Sequence, residues 1–389
     1  MLASCIAHFR EQRGCHGRRI HSYTQTMPDL QARCLRSIRE IPREHWDSLW
    51  PPQAEGYDFY RCQEEAGIAD FEFFYLGLYA GDQPVLFAPL FTAPFNMGLA
   101  MNDAWKVRLE RLQRYWSRFL VVKTLFCGSP TSERNVVGVA EAYRCDPTLF
   151  VALDRALLDL AHLHRVFMVV FKDQVDADAE MFSPLKRLGW FEGDSMDTTI
   201  LDMPYKSMDE YFAQLGSRTR KELRRKLRQA AGQLDVETVA DISAVVDDVY
   251  RLYKGVHDQG VMSFEVLTPT FFLNFCRYMP DNTLFFLYWT KGDAGSGRRL
   301  VGMDFCLHFE DRMLAKYTGM DYSVSRDLNI YFIGLLSNIE WCIRHGKKSC
   351  LLGPGSYEVK KHVGARLIPL STLTKIVNPV INWFPNRFA

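Results

Sequence analysis

Between Leu300 and Lys375 the hydrophobic period changes three times, and that succession leaves few folds open. Leu300–Phe309 alternates as a strand, Glu310 and Asp311 make a polar turn, and Arg312–Met320 alternates again, so the two runs read as an antiparallel hairpin. Leu328, Phe332, Leu335, Leu336, Ile339 and Ile343 then recur at helical spacing, with Ser325 as the expected cap and His345-Gly346 as the stop. Ser349–Leu352 is a short apolar run, the pattern of a strand buried on both faces. Gly353, Pro354 and Gly355 break it, a short basic helix spans Tyr357–Val363, and Arg366–Ile376 reads as a closing strand.

The first half repeats this order. Phe71–Phe91 is a hairpin turning at Ala80-Gly81-Asp82-Gln83, Asp146 can cap a helix reaching His164, and Val166–Phe171 is a buried-strand run. SPLKRLGWFEGDSMDTTILDM then supplies a short basic helix, a glycine and a final strand. One supersecondary order met twice in 389 residues, enough chain for two cores, predicts an α/β (α+β) protein of two like domains in tandem. They are placed at 27–203 and 204–389, the first with an insertion near 92–145 that holds a basic, aromatic patch at Trp105–Lys123. A basic helix opens the second. Ser207 and Glu210 form a capping box there, and Leu215, Leu223 and Leu227 keep one face apolar. Arg218, Arg220, Lys221, Arg224, Arg225, Lys226 and Arg228 are assigned to the other face, with Arg220 and Arg224, i and i+4, as the best anion contacts.

A net charge of +1 confines any polyanion site to such a local cluster. Ten cysteines without a C-x-x-C pair point to reduced thiols in a cytoplasmic chain, with no disulfide framework and no metal site. No run of 18 apolar residues occurs, which argues against a transmembrane helix. Residues 1–26, with Arg10, Arg13, Arg18 and Arg19 against Glu11, read as a disordered leader or as sequence upstream of a start at Met27. The glycines from Gly292 to Gly297 lack the Lys-Ser/Thr of a phosphate-binding loop. G-x-S-x-G and H-E-x-x-H are absent, so nothing supports a serine hydrolase or a zinc protease.

Hairpin, helix, strand, short helix, strand: this order resembles the core of the GNAT acyltransferase fold. YTGMDYS, a helix ending in HG, and LLGPGSYEVKKHVGARLIPL are similar to the tandem-GNAT group of Fem-type aminoacyl transferases and CelD-like acetyltransferases. Gly353, Tyr357, Lys360, Gly364 and Ala365 carry most of that match. The resemblance implies a mixed twisted sheet flanked by helices in each domain. It also implies transfer of an acyl group, with acyl-CoA as co-substrate, to an amine or hydroxyl of a sugar-, glycan- or lipid-linked acceptor in envelope or polysaccharide synthesis. Two alternatives stand beside it. A Fem-like enzyme would use aminoacyl-tRNA, with RNA on the basic helix, and a degenerate GNAT would serve as an inactive binding module.

By the same resemblance, the pantetheine pyrophosphate would lie on backbone N–H groups at Asp321–Arg326. Ser323, Ser325 and Arg326 are the cofactor-binding candidates there, although the usual glycine-rich loop is missing. Tyr357 matches the tyrosine that reprotonates a leaving thiolate. Lys360 and Lys361 are candidates to hold a phosphate or carboxylate. From the residues alone, an aspartate inside VGMDFCL is unusual unless it faces a cleft, which makes Asp304 the first candidate base, with His308 on the same strand face. Backbone N–H groups around Lys316–Gly319 are the expected oxyanion donors.

Overall fold

The structure, a computed structural model, describes residues 30–97, 121–132, 134–175, 180–260, 264–292 and 297–388; the 1–26 leader and most of the Trp105–Lys123 patch lie outside them. The first unit runs β1 (Leu30–Leu35), α1 (Arg43–Leu49), α2 (Tyr57–Glu64), β2 (Glu72–Ala80), β3 (Gln83–Asn96), β4 (Val121–Cys127), β5 (Gly138–Val139), α3 (Pro147–Leu163) and β6 (Met168–Gln174). A 3-10 turn at Ser183–Leu188, β7 (Phe191–Asp194) and β8 (Thr198–Asp202) follow. The second unit opens with α4 (Met208–Gln214) and α5 (Ser217–Ala231), then β9 (Leu234–Val239), α6 (Val246–His257), α7 (Pro269–Tyr278) and β10 (Thr283–Thr290). It continues with β11 (Leu300–Phe309), β12 (Arg312–Met320), α8 (Ile330–Arg344), β13 (Ser349–Leu351), α9 (Tyr357–His362), β14 (Arg366–Ile368), β15 (Ser371–Ile376) and α10 (Pro379–Phe388).

Local chemistry accounts for most of these boundaries. The Asp146 side chain accepts from Thr148 N and starts α3, whose Leu149, Leu153 and Leu157 are fully buried against the first sheet. The hairpins β2–β3 and β11–β12 occupy the two places where alternation predicts them. In each unit the strand after the hairpin, or its second arm, runs parallel to the strand after the helix: β4 with β6, and β12 with β13.

The closing stretch Arg366–Ile376, expected as one strand, is two strands in two different sheets. The chain breaks at Pro369, which has no N–H to give a ladder. β14 pairs with β8 in the second sheet, whereas β15 crosses back and lies between β6 and β7 of the first. Reciprocally, β8 from the first half lies between β13 and β14. The order is therefore β1-β2-β3-β4-β6-β15-β7 in one sheet and β14-β8-β13-β12-β11-β10-β9 in the other. A cut after residue 203 would separate each sheet from a strand it contains. Lys375 on β15 anchors the exchange, donating to Asp154 Oδ1 at 2.7 Å and to Leu188 O at 2.8 Å.

The units also share a core. Trp46, Phe59 and Tyr60 of the first pack with Phe271, Phe275 and Phe305 of the second in one buried cluster, and Phe59 meets Phe275 edge-on at 5.8 Å. Polar bonds fix the same seam: Asn274 Nδ2 donates to Cys62 O at 3.0 Å, Thr268 Oγ1 to Ala66 O at 2.6 Å, and Tyr278 OH to Glu65 Oε2 at 2.7 Å.

Candidate functional site

β12 and β13 stay paired over only three rungs, the last being Leu314 with Leu351. Beyond that rung they part. β12 continues along β11 with a bulge, because Phe305 faces Tyr317 while Cys306 faces Ala315, which leaves Lys316 as the extra residue. The other arm turns away towards β8: Leu352 N donates to Thr199 O at 2.8 Å, and Thr199 Oγ1 to Gly353 O at 2.6 Å. Gly353 has φ +73°, a left-handed conformation that glycine adopts without the Cβ clash other residues incur.

Each arm of this splay has a buried lysine on it or bonded to it. Lys316 Nζ reaches Glu55 Oε1 at 2.7 Å, with side chains 2% and 3% exposed. Lys360, on α9 and 5% exposed, donates to Gly353 O at 3.0 Å and Pro354 O at 2.9 Å. A cavity of about 350 Å³ runs from the last paired rung back to the β11–β12 turn, lined by Leu314 and Leu351, by Glu310, Asp311 and Arg312, by Glu55, and by Arg134 of the first unit.

Tyr317 ties β12 at the splay to the loop before α7. Tyr317 OH donates to Glu265 Oε1 at 2.7 Å. Burial pushes the Glu265 carboxyl up, opposed by that hydrogen bond and by the positive charge of Lys172. Lys172 stands where β4 and β6 part in the first unit, just beyond the Cys127–Phe171 rung. There the gap is stitched across: Lys172 Nζ donates to Ser129 O and Asn135 N to Asp173 O, both at 2.9 Å. The bonds at Gly353 instead lead away from β12, towards β8.

The sequence candidates fall around this splay unevenly. Asp304 and His308 do share a face, but α8 covers it: Asp304 lies against Gly334, Cys306 against Asn338 and His308 against Trp341. Asp304 is 3% exposed and does not open onto a cleft. Its carboxylate accepts from Tyr288 OH at 2.8 Å and Thr318 Oγ1 at 2.6 Å, which is how an aspartate is accommodated inside an apolar strand. Burial raises its carboxyl above the usual range, and those two bonds oppose the rise. A Cβ on Gly334 would stand 2.5 Å from Asp304 Oδ2, so only glycine fits there. Burial lowers the His308 imidazole, and the nearby Lys347 and His345 charges add to that.

Tyr357 OH donates to Asp197 O at 2.8 Å, and Lys361 pairs with Glu358 at 3.2 Å on the surface. Ser325 is not the cap of α8. Turn bonds from Val324, Ser325, Leu328 and Asn329 delay the helix to Ile330, behind Asn329 in left-handed conformation. Ser323 N and Oγ both donate to Asp321 Oδ1, and Ser325 N donates to Asp321 O, so these donors are engaged within the turn. Arg326 is exposed beside them.

The basic segment is also rearranged. Lys226 is buried, paired with Glu222 at 3.1 Å and seated over the Phe332 ring. Arg220 is half-buried, and Arg224 is bound to Asp209 at 2.7 Å. The exposed stripe of α5 is instead Arg218, Lys221, Arg225 and Arg228, spaced as one helical face. Glu55, Lys172 and Glu265 escaped sequence reasoning, and Lys316 entered it only for its backbone. A lysine interrupting VFMVVFKDQ and RMLAKYTGM was the available signal. Among the described residues no group of His, Cys, Asp and Glu is placed to hold a metal ion, and no helix is long and apolar enough to cross a membrane.

A FemAB-like family profile, described as peptidoglycan biosynthesis/recognition, matches residues 37–364. Two Mycobacterium tuberculosis proteins, from strains CDC 1551/Oshkosh and H37Rv, carry the name 8-amino-7-oxononanoate synthase 2. Each is 24% identical over 331 residues, 82% of this chain and 41% of its own length. The chain thus spans about two fifths of these curated relatives. Among solved structures, FemX is similar with a TM-score of 0.56 at 11% identity, covering 89% of this chain and 98% of its own. A tandem GNAT protein from the clavulanic acid biosynthesis pathway gives 0.54 at 12%, covering 90% and 99%. The C-terminal domain of a lysylphosphatidylglycerol synthetase from Agrobacterium fabrum gives 0.53 at 12%, covering 90% and 95%. At such identities these likenesses show the fold: two GNAT-type units in tandem.

Proposed function

The chain belongs to the FemAB-like family of peptidoglycan biosynthesis and recognition proteins, and from that premise we propose that its second unit transfers an acyl group from an activated carrier to an amine or hydroxyl of a glycan- or lipid-linked acceptor. The observation that carries this reading is the β12/β13 splay, with buried Lys316 on one arm and buried Lys360 bonded to the other. Beyond the Leu314–Leu351 rung the two arms no longer pair with each other, and the bulge at Lys316 bends β12 there. The Lys360 ammonium, aimed by two carbonyls, complements the oxyanion that forms when a nucleophile attacks an acyl carbon.

In this reaction the acceptor nitrogen or oxygen bonds to the acyl carbon as the carrier's C–O or C–S bond breaks. The acceptor's proton passes to Glu265, whose carboxyl burial raises and so makes a stronger base than an exposed glutamate, and is then delivered to the leaving oxygen or sulfur. Asp304 serves here as a positioning residue, holding Thr318 of β12 beside the bulge.

Of the two donors, an acyl-CoA would set its pyrophosphate before α8, where the Ser323 and Ser325 N–H groups are already engaged. The exposed cationic stripe of α5 suits the phosphate backbone of an aminoacyl-tRNA better, and that is the donor we favour.

The test is acyl transfer to a muropeptide precursor from each donor, followed by mass spectrometry, in the parent and in Lys360→Met. Loss of one oxyanion partner typically costs about 100- to 1,000-fold in turnover. Turnover by Lys360→Met within threefold of the parent, in a variant that melts like the parent, would overturn the reading.

A further inference from the structure

A second cavity, of about 810 Å³, lies in the first unit beside the start of α3. Its lining is divided by chemistry. Val136, Val139, Phe150 and Leu188 make an apolar floor, while Arg134, Arg144 and Arg187 stand against a single acid, Glu180. In a chain whose net charge is only +1, three guanidinium groups around one concave apolar surface are a marked concentration of charge. Arg144 has a partner in Glu141 at 3.2 Å, but the two side chains are 52% and 86% exposed, and such a pair competes weakly with a bound anion.

The end of α3 is not the anion receptor. Pro147 has no N–H, and Thr148 N is taken by the Asp146 side chain. Recognition therefore falls to the arginines, whose planar forks match phosphate or carboxylate oxygens two at a time. Arg134 and Pro51 also line the smaller cavity at Glu55, so they form a wall shared by the two cavities.

We propose that this cavity binds a phosphate-headed amphiphile, its apolar chain on the Val136–Phe150 floor and its phosphate between Arg134 and Arg187. The floor and the rim each demand one half of such a ligand. A bare anion would leave the apolar floor wet, and a neutral chain would leave the arginine rim unused. This inference concerns binding alone and does not rest on the acyl-transfer reading.

The probe is dodecyl phosphate below its micellar concentration, with dodecanol and inorganic phosphate as comparators, measured by calorimetry on the full chain. Cys145, a free exposed thiol on the cavity lining, supplies a second readout through its rate of maleimide labelling, followed at its own peptide. We expect one saturable site and at least fivefold slower labelling of Cys145 with dodecyl phosphate. Binding should weaken tenfold or more in Arg134→Gln and in Arg187→Gln, two separate variants so that a folding defect in one leaves the other informative. Absence of saturable binding would overturn the proposal. So would unchanged affinity in both variants, or equal protection of Cys145 by dodecanol or by inorganic phosphate.

Discussion

Glu55 of the first unit and Lys316 of the second, 261 residues apart in the chain, form an ion pair at 2.7 Å that is almost wholly removed from water. Lys316 is the bulge residue of β12, so the pair fixes the loop before α2 to the point where the splay begins. Two groups that each lose hydration on folding compensate one another, and removing either leaves the other buried without its opposite charge at 2.7 Å.

Glu55→Gln and Lys316→Met should therefore each lower unfolding free energy by about 3–5 kcal/mol, whereas the double variant should be less destabilised than the sum of the two. Equilibrium denaturation of the three proteins checks this. Strictly additive losses would mean the two side chains stabilise the fold independently.

The strand exchange makes its own demand. Removing residues 371–389 takes β15 from between β6 and β7, together with buried Leu373 and Ile376 and the Lys375–Asp154 pair. Hydrogen exchange should then show β6 and β7 unprotected while β10–β12 keep most of their protection. Parent-like protection of β6 in the truncated chain would show that β15 contributes little to the first sheet.

How far the sequence was legible follows from the range of the interactions involved. Hairpins, α3, α8 and the repeated order show because local alternation, helical spacing and caps such as Asp146 are written within a few residues. The exchange of β8 and β15 does not show, because a short stretch such as Ser371–Ile376 has no mark of which sheet it joins. The site was split in the same way. Lys360 stood out on a short motif, but Glu55 and Glu265 acquire their partners from distant segments, and a carboxylate in a loop sequence looks like any solvated one. The cleft expected at Asp304 is absent for an instructive reason: an aspartate in an apolar strand does need a special environment, and here Tyr288, Thr318 and Gly334 supply it beneath a helix.

Asp304 should leave a signature in the pH dependence of stability. Burial raises its native carboxyl above the unfolded value of about 3.9. The native state then binds this proton more tightly than the unfolded chain does. Its stabilising contribution is full below the unfolded value and is lost as pH rises through the raised native value. Asp304→Asn cannot ionise, so its stability relative to the parent should climb as pH passes upward through that window. Denaturant unfolding at a series of pH values tests this, and a difference that stays flat would show that Asp304 does not titrate there.

The cationic stripe of α5 gives the prediction that separates the two donors. Arg218, Lys221, Arg225 and Arg228 are exposed on one helical face, while Arg224 is held by Asp209 and Lys226 is buried. If tRNA lies on this face, each arginine touching a phosphate releases a counterion, and the slope of log Kd against log salt falls by roughly 0.7–0.9 for each contact removed. Arg225→Gln and Arg228→Gln should each reduce the slope by about that amount and weaken tRNA binding at low salt. Arg224→Gln should change it least, since Arg224 lies off the stripe, on the side of the helix that faces Asp209. Neither stripe variant removes a buried contact, so melting temperatures should stay near the parent value. Equal slopes in the parent and in both stripe variants would take tRNA off α5 and return the donor assignment to acyl-CoA.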